Sequence, residues 1–294
     1  MRSVFTTFLV VSAWVLAACW PTPATQNEPA LWRITDADSE IWLFGTVHVL
    51  PPELRWRGER VNAAFASADE FMTETDTSPE ATAAFPTLAA RYGLLPPEQG
   101  LSALLPAADR QRLSEIVREL RLDAARIERM RPWFAALQLS YVYAMREGHS
   151  ADAGVESVLA AEARAQDKRL SFFETPEEQV RILADLAPAD EAHFLAVTLR
   201  QISDEDGSMA QSDAAWARGD VEALNTALVP QWEEAGPVVH GAVILRRNRA
   251  WADEIATRLD GSGRIFIAVG AAHLVGDDSV VDILRARGIE VEGP

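Results

Sequence analysis

Cysteine occurs once in the 294 residues, at position 19. A single thiol cannot form an intramolecular disulfide, so the fold has to rest on an apolar core. Basic tracts are missing as well: 27 lysines and arginines face 44 aspartates and glutamates, for a formal net charge of −17. Such a surface repels phosphate backbones, which excludes nucleic acid as a partner class. There is no HExxH helix, no Cys/His zinc cluster, no Gly-x-Ser-x-Gly elbow and no Walker loop, so the usual signatures of zinc peptidases, serine hydrolases and nucleotide enzymes are absent. No repeat of solenoid length is present. The remaining composition, 48% hydrophobic and 24% charged, is globular and can bury a full core.

The first segment carries one basic residue, Arg2, and then an apolar run too short to read as a membrane span, which is the pattern of an export signal over residues 1–18. It ends in Leu16, Ala17, Ala18 and Cys19, which resembles the lipobox of bacterial lipoproteins. Cys19 is therefore the expected lipidation site, and residues 19–30, rich in Pro, Thr and Asn, are expected to tether a domain spanning 31–294. Trp20 is not the aspartate of the inner-membrane retention rule, so the expected location is the outer membrane, facing the periplasm.

Two stretches carry the chemistry. Ile41, Trp42, Leu43 and Phe44 form an apolar run without alternation, the mark of a strand covered on both faces. It leads into Gly45 and His48 and breaks at Pro51 and Pro52. Near the other end, Arg264 to Val269 repeats the pattern and leads into Gly270 and His273. With 16 glycines and five histidines, chance places a glycine three positions before a histidine about 0.3 times, and here it happens twice, each time after a strand. Both histidines are thus predicted just beyond the carboxyl ends of buried strands, where open α/β sheets place ligands.

Between them, residues 31–35 and 40–46 read as an opening hairpin, Glu59 onward as a helix, and Glu70 to Thr73 as a short strand delivering Glu74. Residues 169–175 read as another strand ending in a carboxylate, Glu174, and residues 288–292 as a final edge strand. Helical patterns fill about 79–150 and 177–259, two expected insertions. His193 and His240 fall inside helices without partners at ligand spacing, and His149 reads as a loop residue. Two imidazoles and a carboxylate leave open positions on a divalent ion, so His48, His273 and Glu74 are the candidate ligands for metal-assisted hydrolysis. Glu53 follows the Pro-Pro break and is expected to face solvent.

These stretches, together with residues 131–139, 154–175, 246–255 and 268–288, resemble the TraB/GumN family, which includes the pheromone-shutdown protein PrgY and the Tiki metalloproteases. The resemblance implies a mixed α/β fold with a largely parallel central sheet, flanked by helices and similar to erythromycin esterase and the haem-binding lipoprotein ChaN. It also implies a divalent ion (manganese, cobalt or zinc) at paired Gly-x-x-His motifs with a glutamate. Arg247 and Asn248 fall where the family places polar residues near that site, and Glu156 stands where relatives commonly carry aspartate after Gly-Val. The expected activity is that of a membrane-tethered, metal-dependent hydrolase of peptides or small molecules. In it Glu74 is a third ligand or the general base, and Arg247 or Asn248 holds the oxyanion or a substrate carboxylate. The rival expectations are a non-catalytic lipoprotein binding haem or another ligand, and an accessory protein for surface polysaccharide or signalling.

Overall fold

The computed structural model describes residues 28–203 and 209–294. The signal segment, Cys19 and the tether up to residue 27 lie outside the described residues. In chain order the elements are β1 (Leu31–Thr35), β2 (Ser39–Thr46), α1 (Glu59–Ser67), β3 (Glu70–Thr75), α2 (Pro79–Gly93), α3 (Ala107–Glu119), α4 (Ala124–Glu128), α5 (Pro132–Arg146), α6 (Val155–Ala165), β4 (Arg169–Glu174), α7 (Pro176–Ala184), α8 (Pro188–Ser203), α9 (Met209–Ala217), α10 (Val221–Glu234), α11 (Pro237–His240), α12 (Arg246–Leu259), β5 (Gly263–Gly270) and α13 (Val280–Ala286). One sheet holds all five strands in the order β1-β2-β5-β3-β4. Only the opening hairpin, β1 with β2, is antiparallel; β2, β5, β3 and β4 run parallel. The expected mixed, largely parallel α/β class is the one observed.

Both faces of the sheet are covered, which explains why its strands do not alternate in hydrophobicity. Phe44, Phe71 and Phe266 point into a core shared with Phe65, Leu159 and Trp216 on one side. Their neighbours in sequence, Leu43, Met72 and Ile267, point into a second core with Trp251, Ile255 and Leu284 on the other. A third core lies away from the sheet, where Trp133 and Leu139 of α5 meet Leu195 and Leu199 of α8. The helical segments around 79–150 and 177–259 therefore bury one another as well as the sheet.

β2 runs to Thr46, the end that the sequence reading gives it. A methyl group at Gly45 would stand 3.2 Å from the Ala271 Cα, so the glycine serves close approach of two backbones and not a turn. The expected last strand shrinks to a single antiparallel bridge between Arg33 and Glu292. The helical pattern before α12 is interrupted by a π turn over Gly241–Leu245, a widening that sequence periodicity does not reveal.

The loop carrying His48 is fixed from two sides. Leu50 exchanges main-chain hydrogen bonds with Ser150, and the Val155 amide donates to the Val47 carbonyl at 3.1 Å. Gly154 lies under that loop, and a methyl there would sit 2.1 Å from the His48 carbonyl oxygen, against main chain that cannot swing aside. Gly154→Ala should therefore lower stability by about 1–3 kcal/mol, read from denaturant unfolding. An unchanged midpoint would show that the loop has room to move.

Candidate functional site

The parallel strands deliver their carboxyl ends to one place, and each brings a side chain there. His48 follows β2, Glu74 lies near the end of β3, Glu174 closes β4 and His273 ends a short 3-10 turn, Ala271–His273, after β5. Register makes this possible: Thr46 pairs with Gly270, and Thr73 with Ala268, so β5 carries its motif between the other two strands. Arg247 and Asn248 enter from the first turn of α12, directly after the π turn.

Arg247 is buried, and every N–H of its guanidinium is engaged. Its Nε and Nη2 donate to the two oxygens of Glu174 at 2.7 and 3.0 Å, a forked pair. Nη2 also donates to Glu74 Oε2 at 2.5 Å, while Nη1 donates to the Val243 carbonyl at 3.1 Å and to His273 Nε2 at 3.0 Å. The Trp251 ring lies against it, 4.5 Å from the guanidinium carbon.

Asn248 sets the protonation of His273. Its Nδ2 donates to the Asp278 carbonyl at 2.7 Å, which turns Oδ1 toward the imidazole, 2.6 Å from Nδ1. Nδ1 must then carry the hydrogen, and Nε2 keeps its lone pair facing Arg247 and Glu74. Burial, with Arg247 adding to it against the pull of Glu74, lowers the His273 pKa to about 3. His273 is a neutral ring at physiological pH.

His48 is the opposite case. Its side chain is 71% exposed, and Nδ1 lies 2.7 Å from Glu156 Oε1. Glu156, at the start of α6, also accepts a hydrogen bond from the Thr46 hydroxyl. Glu156 first, and Glu74 behind it, lift the His48 pKa to about 9, an attraction partly screened by the water around the ring. Burial pushes the Glu156 carboxyl up, but His48 and the Thr46 hydroxyl outweigh it and leave the group lowered. The longer side chain of glutamate therefore reaches His48 without difficulty.

Glu74 is buried, and its Oε1 accepts the Gly270 amide at 2.7 Å. Burial pushes its pKa up, yet the positive charges of Arg247 and His48, with that amide, hold it at about 2; His273 adds charge only below about 3. Around Gly270 the candidates converge. A methyl group there would stand 3.1 Å from Glu74 Oε1, 3.6 Å from His273 Cδ2 and 3.9 Å from His48 Nε2. The missing side chain is a cradle between the three.

Two imidazoles and a carboxylate around such a cradle fit a divalent ion in kind. In spacing, His273 Nε2 and Glu74 Oε1 are 3.9 Å apart with Arg247 hydrogen-bonded to both residues. Among the described residues no three His, Cys, Asp or Glu side chains are drawn around one point as a ready metal cluster. Of the other residues read from sequence, Glu53 is exposed. His193 bonds the Glu234 carbonyl at 2.9 Å. His149 lies in the loop between α5 and α6, as read, but it is buried, and its Nε2 lies 2.7 Å from Asp213 of α9. Glu174 and Trp251 belong to the site although neither was singled out for it; a strand-final carboxylate was the available signal for the first.

Acid should weaken this arrangement through two groups. A folded-state pKa of about 3 against an ordinary 6.5 means that below pH 6.5 the unfolded chain binds a proton that His273 refuses. The stability brought by ionised Glu74, with a pKa of about 2 against 4.5, is lost as pH falls below 4.5. The unfolding free energy should fall by about 1.4 kcal/mol per pH unit for the histidine alone, and His273→Gln should flatten that slope between about pH 6 and 4.5. The same slope in wild type and variant would show that His273 does not titrate this way.

The TraB/PrgY/gumN family model matches residues 30–293. An uncharacterized protein, YbaP, of Escherichia coli (strain K12) is 23% identical over 257 residues, covering 87% of this chain and 92% of its own length. Metalloprotease TIKI1 of Danio rerio is 26% identical, covering 92% of this chain and 64% of its own. No solved structure matches, so the expected likeness to erythromycin esterase and ChaN rests on the resemblance alone. A family match across almost all of the described domain, with both Gly-x-x-His motifs inside it, places the chain in the TraB/PrgY/gumN family.

Proposed function

We propose that the protein is a divalent-metal-dependent hydrolase that cleaves amide bonds in peptides. The observation that carries this reading is the convergence of His48 Nε2, the His273 ring and Glu74 Oε1 on the open side of Gly270. A distant metalloprotease among the relatives supports it. The ion supplies Lewis acidity for water and for the scissile carbonyl. His48, His273 and Glu74 would hold it, with manganese, cobalt and zinc as the candidate metals.

Each residue has a distinct task. His273 offers a neutral Nε2 because Asn248 fixes the hydrogen on Nδ1, so Asn248 acts as a positioning residue, anchored through Nδ2 to the Asp278 carbonyl. His48 is protonated near neutrality and must give up that proton before its Nε2 can bind metal. Glu156 keeps the ring oriented. The low pKa of Glu74 suits a ligand carboxylate better than a base. The one Arg247 hydrogen not given to a carboxylate or carbonyl is that facing His273, and it is the donor we assign to the developing oxyanion.

The amino-terminal segment supports a lipid at Cys19 and a place on the outer membrane, facing the periplasm. Labelled palmitate should enter the wild type and not Cys19→Ser, and recovery of an unlipidated soluble form would defeat the tether.

Metal and activity are tested together. Thermal unfolding after chelation, then with manganese, cobalt or zinc added, should show a gain near 2.7 kcal/mol at about 100 times the dissociation constant. His48→Ala and His273→Ala should each abolish the gain, and the double variant should be little worse than either. Glu74→Gln should end peptide hydrolysis while Glu53→Gln keeps it. Uptake of no ion by the wild type, or unchanged affinity in both single variants, would leave a ligand-binding lipoprotein as the better reading.

A further inference from the structure

β4 is the outer strand of the sheet, paired with β3 on one side and with no strand on the other among the described residues. An open edge is a template for pairing, and proteins ordinarily blunt it with charge or cover. Here Leu170 and Phe172 stand 43% and 41% exposed along it. Beside the edge lies a cavity of about 480 Å³ walled by Phe172, Phe173, Ile182, Ala242, Ala250 and Trp251.

This cavity leads to the chemistry. α12 runs antiparallel to β4: Arg247 meets Glu174 at the end of the strand, while Arg258 reaches Glu70, which pairs with Arg169 at its start. Arg247, Glu174 and Trp251 are thus at once walls of the cavity and members of the site, and the Trp251 ring lies 4.5 Å from the His273 ring. The charged side chains along it are otherwise taken: Glu174 by Arg247, and Glu254 by Arg258 at 2.8 Å. Arg246 lines the cavity too, is exposed, and its side chain has no ion pair or hydrogen bond among the described residues. A free cation on a chain of net charge −17 calls for a carboxylate partner.

We propose that this groove is the substrate channel of the hydrolase, a statement that rests on the hydrolase reading above. It takes an extended peptide as an added strand on the free edge of β4. An apolar side chain of the peptide lies against the Trp251 wall and an acidic side chain meets Arg246. Main-chain hydrogen bonds to the strand edge supply affinity, and the Trp251 wall with Arg246 supplies selectivity.

Fluorescence anisotropy with the full chain tests this, using short labelled peptides that alternate leucine with glutamate and are amidated at the carboxyl end. The glutamate peptide should bind at least about tenfold tighter than a leucine/lysine peptide, although the net charge of the protein favours the latter. Methylating alternate peptide nitrogens should weaken binding by a similar factor, because it removes strand-pairing donors. Arg246→Glu should reverse the preference, and since Arg246 is exposed the variant should fold as the wild type does. Affinities indifferent to peptide charge, to methylation or to Arg246→Glu would overturn the channel. Peptides bound in the expected order but never cut would sink the hydrolase reading and leave the groove standing. Peptides cut without regard to Arg246 or methylation would do the reverse.

Discussion

A guanidinium buried at the carboxyl edge of the sheet is the constraint on which the site depends. Removing an arginine from water costs several kcal/mol unless its charge is matched and its hydrogens are satisfied. Arg247 meets both demands by drawing Glu174 from β4 and Glu74 from β3 onto one fork, and by using the Val243 carbonyl and the His273 ring for the rest. The same fork fixes protonation. Glu74 stays ionised because a cation lies against it, and His273 stays neutral because it is buried beside that cation. A lysine at this position would bring a single point charge in place of the planar fork, and could not engage two strands and a ring together.

The two histidines then differ in a way their identical motifs conceal. His273 is enclosed, neutral and oriented by an amide, while His48 is open to water, protonated and oriented by a carboxylate. An ion that uses both must displace a proton from one and compete with a guanidinium for the other. This makes the centre selective for conditions: below about pH 9 His48 keeps its proton, and Arg247 holds the His273 lone pair. The acidic partner of His48 comes from α6, whose start is pinned to the β2 loop by the Val155 amide, so a change in that helix would reach His48 through Glu156.

Much of the framework was legible because it depends on local burial. Strands covered on both faces read as unbroken apolar runs, so β2 and β5 were visible, and Glu74 was marked by the strand that precedes it. Adjacency was not legible: nothing local says that β5, added last, inserts between β2 and β3 and so unites motifs from opposite ends of the chain. The Arg247 fork was hidden for a related reason, since Glu174 and Glu74 become its partners only through strand order. The π turn escaped because one extra residue per turn leaves the apolar spacing almost intact while moving Arg247 and Asn248 around the helix axis. Gly148 and Ser150 marked the loop of His149, but not its burial, because the Asp213 that justifies that burial lies on α9.

The repeated glycines also repay comparison, for equal spacing does not mean equal work. At Gly45 the absent side chain lets β2 pack on the turn that carries His273, with Ala271 only 3.2 Å from where a methyl would be. At Gly270 the absent side chain opens the space between Glu74 and both histidines, while the amide of the same residue holds Glu74 Oε1. One glycine closes the gap between the two motifs; the other keeps a gap within it. A larger residue at the first would push the motifs apart, and at the second it would fill the cradle in which they converge. The pair is therefore one device: β2 must approach closely for His48 to reach the cradle, and the cradle must stay empty for that approach to bring the donors around a common point.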